Sequence, residues 1–87
     1  MQQDSKPASV TVYSAVWCAF CHAAKQYLEG KGVSFVDKDV ERDMNNAKEA
    51  VEKSGQLGIP VIDINGTIII GFDRARIDAS LRENALV

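Results

Sequence analysis

The first half of the chain alternates β-branched stretches with segments whose apolar residues recur at helical spacing. Val10-Thr11-Val12-Tyr13 is β-branched and aromatic, which predicts a strand. From about Ala19 to Glu29 the apolar residues lie three and four positions apart, which predicts a helix that Gly30 and Gly32 are available to end. Val33-Ser34-Phe35-Val36 predicts a second strand. Two strands separated by a helix form a βαβ unit, whose strands run parallel.

A second helix is predicted after a charge-rich segment. Residues Asp37 to Asp43 include side chains that cap helices, and Ser54-Gly55 is a typical helix end. We expect one face of this helix to be apolar, because helical spacing relates Met44, Ala47, Ala50 and Val51.

The last third of the chain predicts a hairpin and a third helix. Asn65-Gly66 is a strong two-residue turn signal between Val61–Ile64 and Thr67–Ile70, so these strands should be antiparallel neighbours. Asp73 can cap a final helix in which Ile77 and Leu81 share one face. The resulting order, β-α-β-α-β-β-α, predicts an α/β fold with a four-stranded mixed sheet flanked by three helices.

Composition indicates one compact domain. The 87 residues are 46% hydrophobic and 25% charged, and the chain is too short to divide into two domains. We expect a disordered tail over residues 1–8 and a single domain over residues 9–87. The net charge is -2 and the basic residues are scattered, which argues against a nucleic-acid partner.

The sequence shows no targeting or membrane segment. The polar opening Met1 to Pro7 has no basic cap before an apolar stretch, and no run approaches the roughly 20 apolar residues that span a bilayer. We therefore expect a cytoplasmic monomer without a membrane partner. Stable structural disulfides are rare in that compartment, so a close cysteine pair is more often catalytic, redox-sensing or metal-binding.

The chain has only two cysteines, Cys18 and Cys21, which lie where the first strand turns into the first helix. Two sulfurs at this spacing can close or open a disulfide. Free backbone N–H groups and the positive end of the helix dipole stabilise an anion there, so Cys18 should ionise more readily than a free cysteine. We interpret Cys18 as a solvent-facing nucleophile and Cys21 as its more sheltered resolving partner.

Two metal-binding interpretations use the same residues. Cys18, Cys21 and His22 supply at most three zinc ligands, and His22 is adjacent to Cys21 rather than spaced from it. The C-x-x-C-H pattern also matches covalent haem attachment, but the β-rich second half and the single internal methionine, Met44, fit haem poorly. We predict no metal and no bound cofactor, and we interpret His22 as an ordinary helix-surface residue. The alternative for His22 is that its proximity tunes the thiols.

Aromatic residues and a proline are candidates for substrate contact. Trp17 and Phe20 flank the cysteines, and exposed aromatics at such a place form an apolar platform for a partner protein or for glutathione. Pro60 begins a strand after Gly58-Ile59, which allows an unusual turn. From the residues alone, an ordinary trans proline is favoured.

The segment from Val10 to about Leu81 resembles the glutaredoxin branch of the thioredoxin-fold family. The matching motifs are Val12-Tyr13-Ser14 before the C-x-x-C, the stretch from Ser54 to Val61, and Ile64-Asn65-Gly66 followed by Ile70-Gly71-Phe72-Asp73. The resemblance implies a thioredoxin fold and a thiol-disulfide oxidoreductase that reduces protein disulfides or glutathione mixed disulfides through a Cys18-Cys21 cycle. It also implies glutathione as a possible co-substrate, and either glutathione or a flavoprotein of the thioredoxin-reductase type as the reductant.

The resemblance further implies where a substrate binds. Pro60 should be cis and stand beside the cysteines, which leaves the backbone of Ile59 to pair with a bound peptide or glutathione. Gln56 matches a position near the glutathione-binding edge. Gly71, Phe72 and Asp73 match a segment that binds glutathione, where Asp73 can cap the last helix and help its N-terminus hold a carboxylate.

Several residues depart from the glutathione-using pattern. Ala15 stands where a basic residue is usual, Gly58 where a threonine is usual, and Ala19 replaces a proline. Trp17 is thioredoxin-like, and Gly71-Phe72-Asp73 is similar to redoxins that take electrons from a thioredoxin reductase. The electron donor is therefore left open. The alternative function is carriage of an iron-sulfur cluster between two subunits through Cys18 and glutathione, as in some relatives.

Overall fold

A computed structural model describes residues 10–86. Its elements follow the predicted order: β1 (Val10–Ser14), α1 (Ala19–Gly30), β2 (Val36–Asp39), α2 (Met44–Ser54), β3 (Val61–Ile64), β4 (Thr67–Ile70) and α3 (Arg74–Glu83). The disordered tail predicted over residues 1–8 lies outside the described residues. Between residues 10 and 86, no helix is long and apolar enough to cross a membrane.

The four strands form one mixed sheet in the order β2-β1-β3-β4. β1 pairs parallel with β2 and antiparallel with β3, and β3 pairs antiparallel with β4 across the Asn65-Gly66 turn. Positive φ angles of 50° at Asn65 and 96° at Gly66 are those that a tight two-residue hairpin requires. The predicted βαβ unit and hairpin are both present.

The second strand lies later in the chain than the sequence predicts. The prediction of Val33–Val36 is wrong, since β2 spans Val36–Asp39. Val33 instead is buried in the core and donates its N–H to the Leu28 carbonyl at 3.0 Å, and Phe35 packs partly buried against the same core. Because β2 is an edge strand, charged side chains such as Lys38 remain solvated there, and no apolar pattern marks the strand.

The main core lies on the α1 and α3 side of the sheet. Leu28, Ile77 and Leu81 are fully buried, as the helical spacing predicts. They pack with apolar residues of the sheet and of α1, and the buried members of this cluster are Val10, Val12, Ala24, Leu28, Val33, Ile62, Ile64, Ile69, Ile77 and Leu81. This packing fixes α1 against the carboxyl end of β1, where the cysteine motif begins.

The apolar stripe predicted for α2 is only partly buried. Ala50 packs with Tyr13 and Val61 on the second face of the sheet, whereas Met44 is 80% exposed and Val51 is 36% exposed. A helix turns about 100° per residue, so Val51 and Met44 lie well round the helix from Ala50. The face of α2 that packs on the sheet is therefore narrower than the predicted apolar stripe, which includes Met44 and Val51.

The helix ends follow the predicted caps. Asp43 accepts the N–H of Asn45 at 2.9 Å to begin α2, and Asp73 accepts the N–H of Arg76 at 3.2 Å to begin α3. Gly55 ends α2 with a left-handed φ of 75°, which glycine adopts without strain.

Candidate active site

Cys18 is the residue at which α1 begins. Its backbone is extended and its sulfur accepts the N–H of Cys21 at 3.1 Å, so the sulfur serves as the helix cap. The two cysteines form a disulfide, with their Cα atoms 5.2 Å apart. Cys18 is 6% exposed and Cys21 is fully buried, so Cys18 is the more accessible, as expected. The expectation that its side chain faces solvent is wrong for this disulfide form, because apolar neighbours cover it.

Those neighbours come from three parts of the chain. The buried Ala15 packs with both cysteines, and the partly buried Val40 and Ile59 complete the cluster. The Ile59-Pro60 peptide bond is cis. The trans proline favoured from the residues alone is therefore wrong, and the cis proline that the resemblance implies is present beside the cysteine motif.

Gln56 shapes the loop that leads to this proline. Its Oε1 accepts the N–H of Gly58 at 2.7 Å, and its Nε2 donates to the carbonyl of Gly58 at 2.8 Å. A Cβ atom added at Gly58 would lie 2.7 Å from Gln56 Oε1, so a threonine there would displace the Gln56 amide. In this chain the Gln56 amide occupies the space that a side chain at position 58 would fill. Contact between Gln56 and glutathione stays a prediction.

The Gly71-Phe72-Asp73 segment begins next to Pro60. Gly71 has a φ of 83° and donates its N–H to the Pro60 carbonyl at 2.9 Å. The Phe72 ring packs edge-on against Tyr27, with centroids 5.7 Å apart, and the Asp73 carboxylate caps α3. The fold therefore brings Gly71 to the site, while the two side chains that follow already have partners within the protein.

Exposed apolar side chains surround the first cysteine. Val16 is 73% exposed, Trp17 65% and Phe20 68%, and these three residues form what we call the apolar rim. The Trp17 indole donates to Glu41 Oε2 at 2.7 Å, and His22 Nε2 lies 2.7 Å from the Val16 carbonyl oxygen. Sequence reasoning missed Val16 and Glu41. Val16 could have been found as an apolar residue outside both the strand and the helical pattern.

A polar network ties together the elements that carry the motif. Lys25 Nζ donates to Asp37 Oδ2 at 2.8 Å, and Ser14 Oγ donates to Asp37 Oδ1 at 2.6 Å. Partial burial would raise the pKa of Asp37, but the hydrogen bonds from Lys25 and Ser14 outweigh it and hold the pKa below its usual value. Sequence reasoning missed this network, although Lys25 follows Cys21 by four residues and so shares its helix face.

The site therefore presents a sulfur at a helix N-terminus, a second sulfur within bonding distance and a cis proline beside them. This arrangement can exchange disulfides. Among residues 10–86, no group of three or more His, Cys, Asp or Glu side chains is placed to hold a metal ion.

Comparison with known proteins places these features in a family. The glutaredoxin family model matches residues 10–69. An uncharacterized glutaredoxin-like 8.6 kDa protein in the rubredoxin operon of Clostridium pasteurianum is 44% identical over 69 residues, which cover 79% of this chain and 92% of the relative. Glutaredoxin 3 of Escherichia coli is 35% identical over 66 residues, covering 76% of this chain and 80% of the relative.

Solved structures show the same architecture. The crystal structure of a glutaredoxin from Archaeoglobus fulgidus superposes with a TM-score of 0.78 at 19% identity, covering 86% of this chain and 87% of that one. The glutaredoxin-like NrdH-redoxin of Escherichia coli superposes with a TM-score of 0.71 at 30% identity, covering 80% and 91%. With its thioredoxin fold and Cys18-Cys21 pair, the chain belongs to the glutaredoxin family of thiol-disulfide oxidoreductases.

Proposed function

We propose that the chain reduces disulfides in partner proteins through a dithiol cycle. The Cys18 thiolate attacks one sulfur of the substrate disulfide, forms a mixed disulfide and releases the other sulfur as a thiolate, which takes a proton from water. Cys21 then loses its proton and attacks the Cys18 sulfur, which releases the second substrate thiolate. The substrate gains two electrons, and the Cys18-Cys21 disulfide is left behind.

The observation that carries this proposal is the hydrogen bond from the Cys21 N–H to the Cys18 sulfur at 3.1 Å. A donor at a helix N-terminus stabilises a thiolate more than a thiol, which suits Cys18 to the role of nucleophile. Cys21 is fully buried, so a substrate in solution has little access to it. Its sulfur can still attack the neighbouring sulfur of Cys18 in the mixed disulfide.

We infer that the electrons come from a flavoprotein of the thioredoxin-reductase type rather than from glutathione. Ala15 is 1% exposed and apolar, so it offers no charge to a glutathione carboxylate, and the Gln56 amide is hydrogen-bonded to Gly58. The apolar rim instead suits a protein partner. NrdH-redoxin, which is 30% identical to this chain, is described as having a thioredoxin-like activity profile.

A coupled assay tests both parts of the proposal. The chain is given a disulfide protein such as insulin, and NADPH consumption is followed with thioredoxin reductase or with glutathione plus glutathione reductase. We expect faster turnover with thioredoxin reductase and none with Cys18→Ser. Faster turnover with glutathione would overturn the inferred donor but not the dithiol cycle, whereas activity retained by Cys18→Ser would overturn the cycle.

A further inference from the structure

The two edges of the sheet differ in how they are protected. β2 forms one edge, and three of its four residues, Asp37, Lys38 and Asp39, are charged. β4 forms the other edge and reads Thr67-Ile68-Ile69-Ile70, without a charge. Charged residues on an edge strand prevent pairing with another chain, whereas uncharged β-branched residues favour it.

The backbone of β4 has groups available for pairing. In a two-residue hairpin the residues that flank the turn, Ile64 and Thr67, form a hydrogen-bonded pair, and such pairs alternate along the ladder. The bond from the Gly71 N–H to the Pro60 carbonyl, 2.9 Å long, continues that alternation. The N–H and C=O groups of Ile68 and Ile70 therefore point away from β3, and Ile70 is 50% exposed.

Helix α3 runs beside this edge and antiparallel to β4. Asn65 Nδ2, at the start of the hairpin turn, donates to Asn84 Oδ1 at the end of α3 at 2.7 Å, whereas Asp73 begins α3 shortly after β4 ends. Arg76 therefore lies toward the end of β4 and Glu83 toward its beginning.

A shallow groove of about 190 Å³ lies between β4 and α3. Its lining residues are Thr67, Ile69, Arg76, Ala79, Ser80 and Glu83. Among residues 10–86, Ser80 Oγ is the buried side-chain oxygen without a hydrogen-bond partner, and Ser80 is only 3% exposed. A buried polar group without a partner in its own chain is rare, and here it lies in the wall of an open groove.

We propose that the β4 edge and this α3 face form an interface between two copies of the chain, related by a twofold axis. The two β4 strands pair antiparallel, so that the sheet continues from one copy into the other. Centring the pair on Ile69, with Ile68 opposite Ile70, keeps every side chain on its own face of the sheet. In that register Ile68 and Ile70 form two hydrogen-bonded pairs from the groups that point outward.

The charges on α3 select a second copy as the occupant. Antiparallel β4 strands place the two α3 helices antiparallel as well, so Arg76 of each copy faces Glu83 of the other, with Ala79 near the axis. The charged residue at each end of this α3 face is then paired with an opposite charge of the other copy. Because Arg76 and Glu83 lie on the same face of α3, twofold symmetry pairs each of them with the opposite charge of a second copy.

The register also connects the interface to the active site. Thr67 of one copy lies opposite Gly71 of the other, and Gly71 donates to Pro60 beside the cysteine motif. The Asn65-Gly66 turn of each copy therefore lies next to the Gly71-Phe72-Asp73 segment of its neighbour. A short interface of this kind is weak, so it would turn the expected monomer into a monomer-dimer equilibrium that favours the dimer only at high concentration.

Sedimentation equilibrium of the full chain with a thiol reductant and a chelator tests the interface. We expect the weight-average mass to rise from 9.5 kDa toward twice that value as concentration increases to about 1 mM. The same rise in Cys18→Ser would show that the dimer is not bridged by a disulfide or by a metal cluster. A monomer at every concentration would overturn the proposal.

Matched variants locate the contact. Ile70→Lys on β4 should raise the dissociation constant about tenfold or more, whereas Val36→Lys, at a 42% exposed position on the opposite edge, should leave it unchanged. Arg76→Glu and Glu83→Arg should each weaken the dimer, and the double variant should restore it. Equal effects of the two lysine variants, or no recovery in the double variant, would contradict this arrangement.

Discussion

The two sulfurs of the active site occupy different surroundings, although they belong to one short motif. Cys18 caps a helix next to the apolar rim, and Cys21 is enclosed by the cluster that includes Ala15 and Ile59. In the proposed dithiol cycle, a substrate therefore meets Cys18 first. The cycle gives the two residues separate chemical steps, and substitution of one residue at a time tests each step.

Cys21→Ser should trap a mixed disulfide between Cys18 and a protein substrate. The first attack is unchanged, but serine cannot displace the substrate sulfur, so the intermediate persists. Non-reducing electrophoresis and mass spectrometry should detect a thiol-sensitive adduct. The double variant lacking both thiols is the control, and an equal yield of adduct from Cys18→Ser would contradict the assignment.

Glu41 should act as a positioning residue for the Trp17 ring. Glu41→Ala removes the acceptor of the indole N–H and frees the ring, whereas Glu41→Gln keeps an acceptor oxygen. We expect Glu41→Ala to raise KM for a protein disulfide about threefold with little change in kcat, because one exposed hydrogen bond contributes roughly 0.5–1.5 kcal/mol.

Trp17 is the only tryptophan of the chain, so its fluorescence anisotropy reports ring mobility directly. The anisotropy should fall in Glu41→Ala and stay near the wild-type value in Glu41→Gln. Unchanged anisotropy in Glu41→Ala would show that the hydrogen bond does not hold the ring.

For single residues, the sequence predicts a site contact when the residues involved are neighbours in the chain. The cysteines, Trp17 and Phe20 lie next to one another in the chain, so their grouping was predictable. The partner of Trp17 lies 24 residues away and that of Lys25 lies 12 residues away. Those contacts depend on how α1 packs against β2 and its following loop, which no local pattern specifies.

Individual elements form for reasons that are mostly local. The caps Asp43 and Asp73 and the Asn65-Gly66 turn act within a few residues of themselves, so the sequence predicts α2, α3 and the hairpin. β2 is different, because its limits are set by pairing with residues Thr11 to Ser14 of β1. The apolar Val33 and Phe35 before it pack into the core rather than pair in the sheet, so the apolar pattern predicts the strand too early in the chain.

Asp43→Ala should lower the free energy of unfolding by about 1 kcal/mol, because it removes the acceptor for the Asn45 N–H at the start of α2. Asp43→Ser keeps a capping oxygen and should lose much less. Urea unfolding followed by circular dichroism compares the two variants. A serine variant as unstable as the alanine variant would show that the cap is not the cause.

Across the whole molecule, three carboxylates connect separate elements. Hydrogen bonds from Lys38 and then Tyr13 lower the pKa of Glu49, and one from Tyr27 is the main cause of the lowered pKa of Asp78. At Asp37, the hydrogen bonds from Lys25 and Ser14 outweigh the opposing effect of burial. Each carboxylate is therefore more acidic in the folded chain than in the unfolded chain.

A depressed pKa contributes stability that is present above the unfolded value and is lost as pH falls through the folded value. Because the ordinary values lie near pH 4, we expect the urea midpoint to hold from about pH 7 to 5 and to fall below about pH 4. The triple variant Asp37→Asn, Glu49→Gln, Asp78→Asn should be less stable at neutral pH and show a shallower acid dependence. An acid dependence as steep as that of the wild type would exclude these three groups as its source.

The Gln56 side chain satisfies both backbone groups of Gly58, and this has a consequence for affinity. The loop reaches Ile59 in a preorganised shape, so a peptide that binds there in the proposed reaction need not order it. The entropic cost of association then falls chiefly on the peptide. Among substrate proteins with similar disulfides, those in which the segment around the disulfide is already extended and rigid should bind more tightly than those in which it is flexible.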